Sequence, residues 1–315
     1  MNTFFEDVLQ GLSAPLKQLD SKYFYDKEGD RLFEEIMKCP EYYLTNCEME
    51  ILSKQSGFII DSISSFHKDF DVIELGAGNA LKSSFFLKEL IQRKVAFTYF
   101  PIDISENIIQ LLGEQLPLAI AGINMHALCG EYLNMLQKAS ALTKKNKLVL
   151  FLGSNIGNFS KYEAQQFCMK IRDHLAPGDM LLTGFDLAKN PRTILDAYND
   201  KAGITKQFNL NLLSRINREL EADFNPSQFD HYPVYDPQTG ACKSYLVSMQ
   251  DQVVCIGEAD FIFFKEGEPI LTEISQKYKI DEIEQMANDC GFKLLNNFYD
   301  SRKWFTDSLW IYQRR

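Results

Sequence analysis

The chain lacks long hydrophobic runs, repeats and segments of low complexity. None of its apolar runs approaches the roughly 18 residues that a membrane-spanning helix requires, so no such helix is predicted. No internal repeat or biased segment occurs in the 315 residues, of which 45% are hydrophobic and 24% charged. This composition is typical of a globular protein and excludes a disordered chain, a coiled coil and a collagen-like fibre.

Basic residues are outnumbered by acidic ones, 33 against 43, which gives a formal net charge of −10. An excess of negative charge opposes binding to a phosphate backbone, so no nucleic acid is expected as a partner. The N-terminal segment also lacks the basic and long apolar regions of a secretory signal peptide. We expect a monomeric, cytoplasmic chain that acts on a small molecule and binds neither nucleic acid nor membrane.

Cysteine pairs with metal-binding or redox spacing are also missing. The chain has seven cysteines, an odd number, and none of them stands in a CxxC or other metal-ligand spacing. This pattern favours free thiols that pack as small hydrophobic side chains in a reducing compartment. No metal site is predicted.

Short apolar runs alternate with amphipathic helical patterns between about residues 70 and 185. The runs of four to six residues cover 71–75, 97–102, 125–128, 148–152 and 180–185. Strand-like runs separated by amphipathic helices predict βαβ units and a parallel sheet. The predicted fold class is therefore α/β, with a Rossmann-like sheet.

The stretch from 189 to 277 has a different character, since a polar helical segment precedes alternating strand-like runs with Gly and Pro turns between them. It predicts an α+β lobe inserted into the sheet domain, which then resumes with a helix and two strands. The predicted domains are 48–188 with 278–315 for the sheet, and 1–47 with 189–277 for the lobe.

A glycine turn follows the first sheet strand, in the sequence VIELGAGNAL. Glycines such as Gly76 let a ligand approach the backbone, and the following helix offers unpaired N–H groups. Leu81 stands where a dinucleotide fingerprint has its third glycine, and Asp103 ends the next strand, where a carboxylate accepts from ribose hydroxyls. S-adenosylmethionine, which has a ribose and no pyrophosphate, is favoured over a dinucleotide, and a purely structural turn is the third interpretation.

A second polar loop, LGSNIGNF, follows the fourth strand and includes Asn158. The carboxyl ends of parallel strands are where open α/β sheets bind ligands, so this loop is expected to face the same crevice. The Asn158 amide has both donors and an acceptor for a polar substrate group. An ordinary turn asparagine is the alternative interpretation.

Taken together, these segments resemble the histidine-specific methyltransferase family of ergothioneine biosynthesis. The family trimethylates the α-amine of L-histidine with S-adenosylmethionine. The resemblance runs from Tyr23 to the C-terminus and rests on the motifs YFYDKEGDRLFEEI, PEYYLTNCE, IELGAGNALK, FPIDIS, FLGSNIGNF, DAYNDKAGITKQFN, NRELEADF and TEISQKY. It implies a class I methyltransferase sheet with an inserted substrate lobe. A methyltransferase for another amino acid or small amine, and a catalytically silent cofactor-binding module, are the alternatives.

The resemblance implies a set of residues that bind S-adenosylmethionine. Gly76 lies in the glycine turn and Lys82 in the helix that follows it. Asp103 would contact the ribose, and Gly130 and Glu131 would contact the adenine. The family often has aspartate where Glu131 stands. A carboxylate at either of these positions can accept from a ribose hydroxyl or an exocyclic amine.

The resemblance also implies the residues that bind the amino acid, which are Tyr25, Tyr42, Asn158, Tyr198, Phe208, Glu273 and Ser275. In the family, Glu273 and Ser275 match the pair that grips the imidazole ring. The two residues stand two positions apart on a predicted strand, so their side chains are predicted to point to the same side. A carboxylate that accepts from a ring N–H explains a preference for histidine over an apolar side chain.

One position departs from the family, because Ser244 stands where its histidine enzymes commonly have a methionine against the ring. A smaller, polar residue there widens the expected range of substrates. No catalytic base is assigned, because methyl transfer to a neutral amine requires mainly alignment and exclusion of water.

Overall fold

The computed structural model describes residues 3–313. The helices are α1 (Thr3–Ser13), α2 (Lys27–Ile36), α3 (Tyr43–Ser64), α4 (Ser83–Gln92), α5 (Glu106–Ala119), α6 (Tyr132–Leu142), α7 (Lys161–Asp173), α8 (Pro191–Ala197), α9 (Ile204–Leu220) and α10 (Ile280–Asp289). None of the helices within 3–313 is both long and apolar enough to cross a membrane. The predicted domain limits at residues 1 and 315 lie outside the described residues.

The strands are β1 (Asp71–Leu75), β2 (Tyr99–Asp103), β3 (Leu128–Cys129), β4 (Lys147–Phe151), β5 (Met180–Asp186), β6 (Phe229–Asp236), β7 (Ala241–Ser248), β8 (Gln252–Ile256), β9 (Asp260–Phe264), β10 (Pro269–Gln276), β11 (Phe292–Tyr299) and β12 (Phe305–Tyr312). The chain divides into two compact units. The first unit contains the chain up to Tyr42 and Lys189–Ser275, and the second contains Tyr43–Ala188 and resumes at Gln276. The assignment of cofactor and substrate to separate domains stays a prediction.

A seven-stranded sheet in the order β11-β12-β5-β4-β1-β2-β3 forms the centre of the second unit. Strands β1 to β5 pair in parallel, and β12 runs antiparallel to both β5 and β11. All residues of β1 and β5 are buried, as expected for parallel strands that helices cover on both faces. The predicted α/β class with a mostly parallel sheet is confirmed.

The core of the second unit joins the sheet to helices α6, α7 and α10. Its fully buried members include Ile73, Val149 and Leu181 from the strands, with Leu136 and Ile171 from the helices. Removal of each such side chain from water contributes about 1.5–3 kcal/mol to folding. The core thereby fixes the carboxyl ends of β1, β2 and β4 at one edge of the sheet, where ligands bind in open α/β folds.

Capping residues set the starts of helices in this unit. Ser105 precedes α5 and accepts from the backbone N–H of Ile108 at 3.3 Å. Ser160 and Glu163 form a capping box at α7, in which each side chain accepts from the other's backbone N–H, at 3.3 and 3.0 Å. Both caps satisfy N–H groups that would otherwise lack a partner in the first helical turn.

In the first unit, helix α9 packs against α2 and against a three-stranded sheet in the order β10-β7-β6. Alternate residues of β7 are buried, which is the pattern of a sheet with one covered face. The rings of Phe24 and Phe208 stack with centroids 4.5 Å apart. Asp26 caps α2 by accepting from Gly29 N–H at 2.7 Å, and it also accepts from Asn211 of α9 at 2.9 Å. This carboxylate ties the start of α2 to α9.

Candidate active site

The glycine turn at the end of β1 requires glycine at its first position. Gly76 has φ +72°, and a Cβ there would lie 2.8 Å from both Asn155 Nδ2 and Tyr132 Oη. Its N–H donates to the carbonyl oxygen of Ile102 at 2.8 Å. A side chain at this position would therefore clash with two polar groups that line the turn, besides straining the backbone.

Asp103 lies at the end of β2, directly beside this turn. Its carboxylate accepts from the N–H groups of Gly78 and Ser105, both at 3.0 Å. Burial raises the pKa of the carboxyl, and the backbone N–H donors oppose that shift. Because a carboxylate has about four acceptor positions, these bonds leave Asp103 capacity for ribose hydroxyls.

The turn after β3 lies next to Asp103 because β3 pairs with β2. Gly130 N–H donates to the carbonyl oxygen of Asp103 at 2.9 Å. Glu131, the next residue, is exposed at the N-terminus of α6. The structure thus brings Gly76, Asp103 and Gly130 together at one edge of the sheet.

Lys82 is not a solvated helix lysine, because its side chain is only 21% exposed. It precedes α4, and its ammonium forms an ion pair with the fully buried carboxylate of Glu48 on α3. A Cβ at Gly153 would lie 3.3 Å from Lys82 Nζ. Lys82 therefore reaches the loop that follows β4.

The loop after β4 has an unusual backbone. Gly153 and Ser154 both adopt left-handed conformations, with φ +77° and +58°, and a 3-10 helix, Asn155–Asn158, follows. Left-handed residues other than glycine are uncommon and persist where surrounding contacts hold them. Asn158 ends this helix half-buried, and its contact with substrate stays a prediction.

Two hydrogen bonds link polar residues of the first unit, among them the substrate-binding candidates. The hydroxyls of Tyr198 and Ser275 lie 2.5 Å apart and are buried. Ser244 Oγ donates to the carboxylate of Glu273 at 3.4 Å. Glu273 and Ser275 both belong to β10, but the Ser275 hydroxyl is engaged with Tyr198.

Aromatic rings connect the remaining substrate-binding candidates of the same unit. Phe33 contacts three of them, with ring centroids 5.9 Å from Tyr25, 6.3 Å from Tyr42 and 6.0 Å from Phe208. Tyr42 in turn lies edge-on to Tyr198 at 6.4 Å. A continuous chain of rings therefore leads from Phe208 to the Tyr198–Ser275 hydrogen bond.

Sequence reasoning missed four residues that the structure places beside the predicted ones. They are Phe33, Glu48, Tyr132 and Asn155. Phe33, Glu48 and Asn155 lie inside the motifs quoted above, and Tyr132 directly follows Glu131. Three of the four thus belong to segments that the motifs marked, but the motifs did not single them out.

A family model supplies the comparison that decides membership. The model of the histidine-specific, SAM-dependent methyltransferases matches residues 4–312. The chain belongs to this family.

Individual family relatives carry different names. The histidine N-alpha-methyltransferase of Mycolicibacterium smegmatis is 32% identical over 302 residues, which is 96% of this chain and 90% of that protein. Ergothioneine biosynthesis protein 1 of Neurospora crassa is 32% identical over 288 residues, 90% of this chain and 32% of that protein. The L-tryptophan methyltransferase trpM of Psilocybe serbica is 28% identical over 325 residues, 94% of this chain and 89% of that protein.

The second unit fits the cofactor of a SAM-dependent methyltransferase. Gly76 leaves backbone accessible, and Asp103 retains acceptor capacity at the neighbouring strand end. Leu81 stands where a dinucleotide fingerprint has its third glycine, so the turn departs from that fingerprint. The expectation of S-adenosylmethionine over a dinucleotide or a structural turn is confirmed by the family.

Proposed function

We propose that this methyltransferase trimethylates the α-amine of L-histidine to give hercynine. The observation that carries the proposal is the 32% identity to a histidine N-alpha-methyltransferase along 96% of the chain. The substrate half of the proposal rests on Glu273 and its neighbours in the first unit. The cofactor half rests on the turns of the second unit.

In the second unit, Gly76 and Gly130 would admit the cofactor close to the backbone, while Asp103 accepts from its ribose hydroxyls. Glu131 would accept from the adenine amine, and Lys82 would hold the cofactor's polar end. When bound, S-adenosylmethionine supplies a methyl group on a positively charged sulfur, which leaves as a neutral thioether. The protein therefore needs to bind and orient rather than to activate a leaving group.

In the first unit, the Glu273 carboxylate would accept from an imidazole N–H. The hydroxyl of Ser244 donates to that carboxylate, so serine at this position holds the acceptor in place. A buried hydrogen bond to a charged group contributes about 1.5–3 kcal/mol, enough to favour histidine over an apolar side chain. Tyr25 and Phe208 would line the same cavity.

Tyr42 and Tyr198 of the first unit would hold the amine and carboxylate end of the amino acid. Ser275 orients Tyr198 through their hydrogen bond. The rings of Tyr25 or Tyr42 would attract the ammonium that grows with each methylation, a cation–π interaction of about 0.5–2 kcal/mol. No general base is required, because solvent or a carbonyl can take the amine proton.

The experiment that tests the function is incubation of the purified chain with S-adenosylmethionine and a panel of amino acids, with products identified by mass. We expect histidine to gain three methyl groups. Methylation of tryptophan or another amino acid instead would refute histidine as the substrate, and the proposed type of reaction would stand. Cofactor binding without turnover of any amino acid would refute the enzymatic activity and indicate a cofactor-binding module.

We also propose that the chain is a monomer of the cytoplasm. All seven cysteines lie within residues 3–313 and are free thiols, in keeping with a reducing compartment. Light scattering of the purified chain tests the oligomeric state, and a mass of about twice the 36.3 kDa of one chain would refute the proposal of a monomer.

A further inference from the structure

Glu48 is a buried acid that the proposed reaction leaves without a role. It lies on α3 with its side chain fully buried. Its two carboxylate oxygens accept from Gly153 N–H at 2.7 and 2.9 Å, and one of them also pairs with the Lys82 ammonium. A single side chain thus contacts both the cofactor candidate Lys82 and the loop that follows β4.

The neighbouring strand is shaped to receive this carboxylate. A Cβ at Gly184 of β5 would lie 2.3 Å from Glu48 Oε1, a distance at which one of the two must move. Gly184 has no positive φ, so its backbone would accept other residues. The need for glycine there comes from the space that the Glu48 carboxylate takes, at 2.3 Å, and from the Phe305 ring, at 3.0 Å.

Asp307 is a second buried acid in this region. It pairs with Gly184 in the β5–β12 register and is fully buried. Among the described residues, no hydrogen-bond partner reaches its carboxyl oxygens. Burial and the adjacent Glu48 carboxylate raise the pKa of Asp307 well above its usual range. A raised pKa favours the protonated form of Asp307.

We propose that Glu48 is the positioning residue of the cofactor site: from its place beside Gly184, it holds Lys82 and the Gly153 backbone in position. The left-handed backbone at Ser154, which follows Gly153, needs such contacts to persist. The same loop presses Asn155 against Gly76. The inference rests on the proposed cofactor role of Lys82.

The first test replaces Glu48 by its neutral isostere and measures the dissociation constant for S-adenosylhomocysteine by calorimetry on the full chain. Glu48→Gln leaves Lys82 without its charge partner, so we expect binding to weaken by about tenfold or more. The KM for S-adenosylmethionine should rise with it, and the KM for histidine should stay within about twofold. The matched control is Glu50→Gln on the same helix, whose carboxylate pairs with Lys54 at the surface. Equal binding by Glu48→Gln and wild type refutes the proposal.

The second test asks whether Glu48 acts through Lys82. In a Lys82→Met background, Glu48→Gln should weaken binding much less than it does in the wild-type chain, because the partner is already absent. Fully additive effects contradict positioning through Lys82.

A third variant covers the case in which Glu48→Gln does not fold. Gly184→Ala displaces the Glu48 carboxylate without removing its charge and should also weaken binding. Its control is Gly113→Ala, since a Cβ at Gly113 meets nothing within 4 Å. Wild-type chain that binds no S-adenosylhomocysteine refutes the proposed function. Wild-type binding with an unaffected Gly184→Ala variant refutes the positioning role alone.

Discussion

At the scale of single residues, Glu74 inside strand β1 is a buried acid outside the proposed ligand contacts. Burial raises its pKa from 4.5 to about 7, against the opposing hydrogen bond from Tyr99. A carboxyl with a raised pKa in the folded state stabilises the fold fully below its unfolded pKa. That contribution is lost as pH rises through the folded pKa.

We therefore expect the free energy of unfolding of the wild-type chain to fall between about pH 4.5 and 7, relative to a Glu74→Gln variant, by about 3 kcal/mol. Urea unfolding of both chains at pH 5 and pH 8 measures the difference. Subtraction of the two curves removes the titration of all other groups, including buried His231. Parallel pH dependence of the two chains would show that Glu74 stays ionised throughout.

Glu273 carries the second prediction at this scale. If its carboxylate accepts from the imidazole N–H, Glu273→Ala should raise the KM for histidine by about tenfold or more and leave the KM for S-adenosylmethionine within about twofold. The same variant should accept apolar amino acids more readily, because they no longer leave a carboxylate unpaired. Glu266→Ala, an exposed acid of the same unit, is the control. Unchanged kinetic constants for histidine would contradict a contact between Glu273 and the imidazole ring.

The residues of the site could be predicted only in part. The sequence indicated Tyr25, Tyr42 and Phe208, and the structure brings them together through Phe33, which no single-sequence pattern distinguishes from a core phenylalanine. Glu48 is similar, since an acid on a long helix usually lies in solvent. Its burial depends on Gly184, more than a hundred residues away, and such pairings are set by tertiary packing alone.

At the scale of elements, two glycine positions of the second unit make opposite predictions. Gly113 lies inside α5 with open space around it, so Gly113→Ala should raise the free energy of unfolding by about 0.5–1 kcal/mol. Gly76→Ala should lower it, because the turn has φ +72° and a Cβ would press on Asn155 and Tyr132. Thermal unfolding of both variants measures the signs. Destabilisation by Gly113→Ala would mean that α5 depends on that glycine.

The strands show how far sequence patterns reach. The runs 71–75, 148–152 and 180–185 correspond to β1, β4 and β5 because central strands are covered on both faces and read as continuous apolar segments. The predicted strand at 125–128 is wrong in extent, since β3 comprises only Leu128–Cys129, with a single bridge at Met125. It lies at the sheet edge, where fewer hydrogen bonds and less burial leave the pattern weak.

At the scale of the whole molecule, sequence order and spatial grouping differ. Each compact unit is assembled from separate stretches of chain, because Lys189–Ser275 interrupts the chain between β5 and α10. A change from continuous apolar runs to alternating ones signalled this interruption, since a sheet with one covered face shows alternation. The antiparallel return of β12 beside β5 had no such signal, because strand order depends on packing rather than on local pattern.

The last prediction follows from the proposal that the cofactor binds to the second unit and the amino acid to the first. Hydrogen exchange with mass spectrometry measures it. S-adenosylhomocysteine alone should slow exchange in segments 76–82, 103–105, 130–132 and 153–158, because ligand binding suppresses the local openings that expose amides. Segment 229–264 of the first unit should be unaffected. Addition of L-histidine to that complex should then slow exchange in segments 198–208 and 269–276. An Asp103→Ala variant, which lacks the ribose acceptor, serves as the control and should show neither effect at the same ligand concentration. Protection that begins in 198–208 with S-adenosylhomocysteine alone would contradict the assignment of the cofactor to the second unit, whatever amino acid the enzyme methylates.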